Sequence, residues 1–156
     1  VAQEKVVATN RKAYHDYFIE EKIEAGVALQ GNEVKSLRLG RANLKDSYAR
    51  IVNGEVLLYN THISPYEHGD LKRQDPKRVR KLLLHKAEIR KLAGKVTQKS
   101  MTLVPLRIYF SGDLAKVEIG LVRGKRQYDK RRAIAEKTAK RELEKEFRQR
   151  QKEVRK

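Results

Sequence analysis

Cysteine and tryptophan are absent from the 156 residues, proline occurs three times and phenylalanine three times. Without cysteine there are no disulfides and no thiolate-ligated metals, a composition that fits a cytoplasmic location without establishing it. No apolar run approaches the roughly eighteen residues a membrane helix needs. Val1 to Lys12 is mixed and charged, with no apolar stretch of the kind a signal peptide carries. The four histidines, His15, His62, His68 and His85, lack metal-ligand spacing, so no metal is expected. Glycine-rich phosphate loops are missing, and no serine sits in a nucleophile elbow. Glu20 and Glu21 are adjacent on an expected strand, where they face opposite sides and cannot work as a carboxylate pair. No catalytic residue, cofactor or enzymatic activity is therefore expected.

What the chain has in excess is positive charge, net +17. Its placement is uneven. Residues 1–70 carry a net charge of −1, residues 71–99 one of +9, residues 100–122 balance, and residues 123–156 carry +9. Solubility does not require such segregation. Two separate contacts with polyanions do.

Residues 10–16, beginning with Asn10 as N-cap, read as a short helical turn. From Tyr17 the odd positions Tyr17, Ile19, Ile23, Ala25, Val27 and Leu29 are mostly apolar and the even ones mostly polar, a long strand with Gly26 as a bend or bulge. Asn32 to Leu39 predicts a short helix capped by Asn32, with Val34 and Leu37 inward and Gly40 closing it. Leu44–Val52 and Glu55–Ile63 read as strands joined at Asn53-Gly54, a strong hairpin signal. Pro65, Gly69 and Pro76 mark a long connection from Ser64 to Lys77, of a length often tied to function. Ile89, Leu92, Ala93 and Val96 make a helical stripe in His85–Gln98. Met101–Phe110 reads as a strand with Val104, Leu106, Ile108 and Phe110 on one face and Pro105 suggesting an edge. After the Ser111-Gly112-Asp113 turn, Ala115, Val117, Ile119 and Leu121 face the core from the next strand.

At least five strands with inserted helices predict a mainly β fold. The first choice is an oligonucleotide-binding-type antiparallel β-barrel with inserted helices, and an open sheet carrying a helix is the alternative. This domain is placed at residues 1–122, with a basic helix-forming C-terminal tail at 123–156. The tail has no proline or glycine beyond Asp129 and only a thin apolar stripe of Ile134, Leu143, Phe147 and Val154, so it is expected to be disordered or frayed when free and to order on a partner. The junction, residues 120–131, is a burst of cations around Tyr128. Charge and aromatic alone suit either a domain boundary with a solvated tail or an RNA contact.

Several ordered segments carry a resemblance. They are residues 10–17 (Asn-Arg-Lys-Ala-Tyr-His-Asp-Tyr), 19–21, 24–26, 33–38 (Glu-Val-Lys-Ser-Leu-Arg), 46–48, 62–66 (His-Ile-Ser-Pro-Tyr), 80–86, 102–106 and 124–131 (Gly-Lys-Arg-Gln-Tyr-Asp-Lys-Arg). In these the chain resembles the small protein B family, the tmRNA-binding partners of trans-translation. The resemblance implies an oligonucleotide-binding-type barrel that grips the tRNA-like domain of tmRNA. It implies a tail that becomes helical in the small ribosomal subunit of a stalled ribosome, near the decoding region and mRNA channel, and a monomer when free.

Carried over by position, the resemblance implies that Glu33 is the acidic residue used for tmRNA recognition. Asn10, Arg11, Lys12, His15 and Lys35 would add RNA contacts, as would Lys125 and Arg126 near the RNA elbow. Tyr128 would stack on a decoding-centre base, and Asp129, Lys130 and Arg131 would begin the functional tail. A carboxylate can accept from base amino or 2′-hydroxyl groups. Glu33 is equally open to a plainer role as an exposed first-turn acid favoured by the helix dipole, and His62 and Tyr66 read as structural. Leu71 to Asp75 departs from the family pattern, so this loop is expected to touch RNA differently. A structural ribosomal protein and an RNA-processing enzyme are the competing classes.

Overall fold

The computed structural model describes residues 4–125 and 141–148. Its first unit, Val1–Arg123, is a mainly β domain. The strands are β1 Glu4–Thr9, β2 Tyr17–Val27, β3 Ala42–Asn43, β4 Tyr48–Val52, β5 Glu55–Tyr59, β6 His62–Ile63, β7 Arg80–Leu83, β8 Thr102–Ser111 and β9 Leu114–Gly124. The helices are α1 Arg11–Asp16, α2 Gly31–Arg38 and α3 Lys86–Lys99, with a 3-10 turn at Leu71–Arg73. Seven strands run in the order β1-β8-β4-β5-β7-β2-β9, and β8 also pairs antiparallel with β9 from Thr102↔Val122 to Ser111↔Leu114, which closes the sheet into a barrel. This is the expected oligonucleotide-binding-type barrel. The main core is buried inside it, from Ala25, Leu37, Val56, Leu58, Leu82, Ile108, Val117 and Ile119 among others.

The hairpin forms at Asn53-Gly54, where both residues have positive φ, 51° and 76°, the pairing of a tight turn matched to strand twist. The two flanking strands are shorter than the apolar pattern suggests. Asp46 and Asn60 lie in left-handed backbone at φ 61°, and these breaks split off β3 and β6, which pair with each other as a separate ribbon. Short polar side chains make that backbone accessible at modest cost.

β8 corrects two expectations. It is no edge strand: it pairs with β9 on one side and with β4 and then β1 on the other. Pro105 is tolerated because the second side changes partner there, β4 reaching Leu103 and β1 starting at Arg107. A bulge follows between Pro105 and Arg107, and it inverts the side-chain alternation. Ile108 and Phe110 therefore enter the main core, whereas Val104 and Leu106 join Ala13 and Val122 in a second cluster beneath α1. Gly26 is no bulge in the β2–β7 pairing, where Gly26↔Leu83 and Val27↔Leu82 stay in register. A β-carbon there would lie 3.3 Å from that of Leu83, so the strands meet closely.

The second unit is Gly124–Lys156, of which residues 141–148 are helical with Leu143 and Phe147 exposed.

Candidate nucleic-acid interface

The six residues of α1 present Arg11, Lys12 and His15 outward and bury Ala13. The turn is oriented by Asn10, which is 7% exposed. Its Oδ1 accepts the Ala13 N–H at 3.1 Å, capping the helix as the sequence predicts. The side-chain Nδ2 donates to the Pro105 carbonyl at 3.0 Å, and the backbone N–H donates to Leu106 O at 2.7 Å. Asn10 thus fills the gap where β8 changes partner. Its own polar groups are spent on protein, and the cations it orients are the groups left facing solvent. Lys12 lies 3.8 Å from Asp46, and Lys22 sits over the Tyr14 ring at 5.4 Å.

At α2 the cap is Gln30, not Asn32, and the helix starts a residue early. Glu33 decides this: its Oε1 accepts the Gln30 N–H at 2.8 Å, the reciprocal half of a capping box. Asn32 is turned instead toward Gly69, where an added β-carbon would lie 2.8 Å from its side chain. Nor is Glu33 an exposed acid. It is 7% exposed, with Arg78 Nη2 donating to Oε1 at 2.6 Å and Arg80 Nε to Oε2 at 2.5 Å. Arg80, fully buried, also donates to Thr61 O at 2.6 Å and Pro76 O at 3.1 Å. Burial pushes the Glu33 carboxyl up, but the Arg78 hydrogen bond, the Gln30 N–H and Arg80 together hold it below the usual carboxylate range. Lys35, on the outer face of the same helix, lies 5.3 Å from the centre of the Tyr66 ring.

The positive block at residues 71–99 divides between the connection after Ser64 and α3. Lys86, Arg90 and Lys91 are exposed on α3, while Lys95 is paired with Glu21. Beside the start of α3 lies a shallow cleft of about 290 Å³ lined by Glu24, Leu83, Leu84, His85 and Glu88. Leu83 is 51% exposed. Glu24 accepts from Lys116 Nζ at 2.6 Å and from the Tyr109 hydroxyl, and these two hydrogen bonds hold its carboxyl below the usual range. The cleft draws on two of the segments that carry the resemblance, 24–26 and 80–86, but nothing in their spacing marks it as a site. Its one legible signal is Leu83, an apolar side chain at an outward position in Arg80-Lys81-Leu82-Leu83.

Among the described residues no cluster of His, Cys, Asp or Glu is arranged to hold a metal ion, and no helix is long and apolar enough to cross a membrane. Lys125 belongs to the second unit. Arg126, Tyr128, Asp129, Lys130 and Arg131 lie outside the described residues.

A closed antiparallel barrel with exposed cations on its inserted helices and aromatic rings beside them defines a small basic protein of the oligonucleotide-binding class. Residues 7–149 match the family model described as SmpB protein. The chain belongs to that family. The SsrA-binding protein of Desulfitobacterium hafniense (strain DSM 10664 / DCB-2) is 63% identical over 144 residues, 92% of each chain. That of Carboxydothermus hydrogenoformans is 61% identical over 147 residues, 94% of this chain and 99% of its own. A chain from a solved structure, "tmRNA-SmpB: a journey to the center of the bacterial ribosome", matches at 56% identity with a TM-score of 0.64, over 76% of this chain and 83% of that one.

Proposed function

We propose that the protein binds tmRNA and delivers it to stalled ribosomes for trans-translation, acting in the cytoplasm as an RNA-binding protein without catalysis. The observation that carries this is the 56% identity, over most of both chains, to the chain of the solved tmRNA-SmpB structure. Family membership across residues 7–149 agrees with it. So does the segregation of charge into two +9 blocks beside an otherwise near-neutral body.

The work divides between the two blocks. The barrel takes the tRNA-like domain of tmRNA through Arg11, Lys12, His15 and Lys35, with Lys125 and Arg126 at the junction. Asn10 and Glu33 serve by positioning, since the polar atoms of both are occupied within the protein. Tyr128, Asp129, Lys130 and Arg131 begin the segment that enters the small-subunit decoding region and mRNA channel. Deleting residues 129–156 tests this division. The truncated chain is expected to keep tmRNA affinity within a few-fold and to lose peptide tagging in a reconstituted stalled-ribosome assay. A large loss of tmRNA affinity would refute the division, and retained tagging would refute the role of the tail.

A further inference from the structure

α3 carries five cations and gives only one of them a carboxylate. Lys95 pairs with Glu21, whereas Lys86, Arg90, Lys91 and Lys99 are exposed, with no carboxylate at salt-bridge distance among the described residues. Glu88 is the one acid on the helix, and it lies on the flank, lining the cleft with Glu24 and Leu83. Ile89, Leu92 and Val96 turn toward the main core. The helical period therefore puts Ala87, Lys91, Gly94 and Gln98 along the middle of the outer face, with Lys86 and Arg90 beside them. That middle is low: a β-carbon added at Gly94 would meet nothing within 4 Å.

At α1 and α2 the cations stand beside rings, Lys22 over Tyr14 and Lys35 over Tyr66. α3 contains no aromatic residue. Cations with rings suit unpaired bases. Cations without rings suit a duplex, whose bases are stacked away and whose phosphates and 2′-hydroxyls face outward. Position also separates α3 from α2. Arg38 of α2 lies 5.9 Å from the centre of the Phe110 ring near the end of β8, and Glu33 holds Arg80 at the start of β7. α3 follows the other end of β7, and its Ala93, Val96 and Thr97 line one cavity with Met101 and Leu103 at the start of β8. The pairings β7–β5, β5–β4 and β4–β8 are all antiparallel, so β7 and β8 run in opposite directions. The two helices thus sit at opposite ends of the barrel, roughly 20 Å apart along β8. An RNA held on the α2 side leaves α3 free for another.

We propose that the outer face of α3 is a ribosomal contact of the folded domain, on which Lys86, Arg90, Lys91 and Lys99 meet the phosphates of a double-helical segment of ribosomal RNA. The partner is RNA and not protein because the face offers charge and almost no exposed apolar surface, the reverse of a protein–protein core. It is ribosomal RNA and not tmRNA because the face lies at the end of the barrel away from α2. The proposal rests on the ribosome-delivery reading above and adds to the tail a contact that reads shape and charge, not sequence.

The test uses the full chain, with affinity for purified ribosomes and for a tmRNA transcript measured separately across a range of salt concentrations. Arg90→Gln with Lys91→Gln removes two exposed charges and keeps good helix formers. This variant is expected to bind ribosomes about tenfold more weakly, with a salt slope lower by roughly 0.7–0.9 for each phosphate no longer neutralised, and to bind the transcript as the wild type does. Lys5→Gln with Lys81→Gln removes as much charge from β1 and β7 and is expected to leave ribosome binding within twofold or so. Backbone footprinting is expected to show a paired segment of ribosomal RNA protected by the wild type and released in the α3 variant. Wild-type ribosome affinity and slope in the α3 variant would overturn the face. An equal loss in the β1–β7 variant would overturn it too, by reducing the effect to net charge. A loss confined to the transcript would move the face to tmRNA and overturn the ribosomal assignment, and release of unpaired nucleotides alone would overturn the duplex. A wild-type chain that bound the transcript but not ribosomes would overturn the face and keep the tmRNA reading, whereas one that bound neither would bring down both.

Discussion

The helices α1 and α2 invite comparison, because each is short, each lies in a segment that resembles the family, and each is pinned by one buried polar side chain. The pins differ in kind. Asn10 is a neutral residue whose side-chain amide joins a helix start to the Pro105 carbonyl of β8, while its backbone N–H reaches the next carbonyl, that of Leu106. Glu33 is a buried charge facing two guanidinium groups, one of them fully enclosed. A neutral pin that is lost leaves one carbonyl and one N–H short of a partner. A charged pin that is lost leaves a cation stranded out of water, which costs far more.

The comparison is broken most forcefully at Glu33. Glu33→Ala strands Arg80, whose other partners are the carbonyls of Thr61 and Pro76, and is expected to cost about 3–5 kcal/mol in chemical unfolding. Glu33→Gln keeps the shape and one acceptor oxygen, and is expected to fall between the alanine variant and the wild type. A Glu33→Ala chain as stable as the wild type would show that water or a shift of Arg80 replaces the carboxylate. At Asn10 the expectation is smaller. Asn10→Ala removes a helix cap and the donor to Pro105 O, and is expected to cost about 2 kcal/mol. Equal losses at the two sites would erase the distinction between neutral and charged pins.

How far these sites were legible in the sequence follows from the same physics. Asn10 was readable as a cap, because a cap acts within three residues and the sequence preserves that spacing. Its bonds to Pro105 and Leu106 were not, since they span about ninety-five residues and depend on where β8 changes partner. Glu33 was legible as an acid at a helix start but not as buried, because its partners lie forty-five and forty-seven residues away. β7 escaped for a related reason. Its inward positions are Arg80 and Leu82, and an arginine facing inward conceals the alternation by which β2 and β9 were found. The bulge after Pro105 left no trace either: Val104, Leu106, Ile108 and Phe110 keep a perfect period of two while serving two different cores. Periodicity reports which residues are buried, not against what.

The smallest effect expected is on the acid side of the stability curve, and it sharpens the contrast because Asn10 has no proton to gain. Glu33 has a folded-state pKa below its unfolded value. Its contribution is therefore fully present above the unfolded pKa and is lost as pH falls through the depressed folded one. Glu21 and Glu24 are depressed in the same sense, the first mainly by the hydrogen bond from Lys95 and the second by that from Lys116. Both are surface groups, so salt is expected to reduce their share, while the share of Glu33 should persist. Unfolding free energy measured from pH 7 down to pH 3 should accordingly fall less steeply in Glu33→Gln than in the wild type, at low and high salt alike. Asn10→Ala should lower the curve by a constant amount and leave its slope unchanged. A wild-type slope in Glu33→Gln would mean that the carboxylate gains as little from its two arginines as an exposed acid would, and the charged pin would then be no stronger than the neutral one.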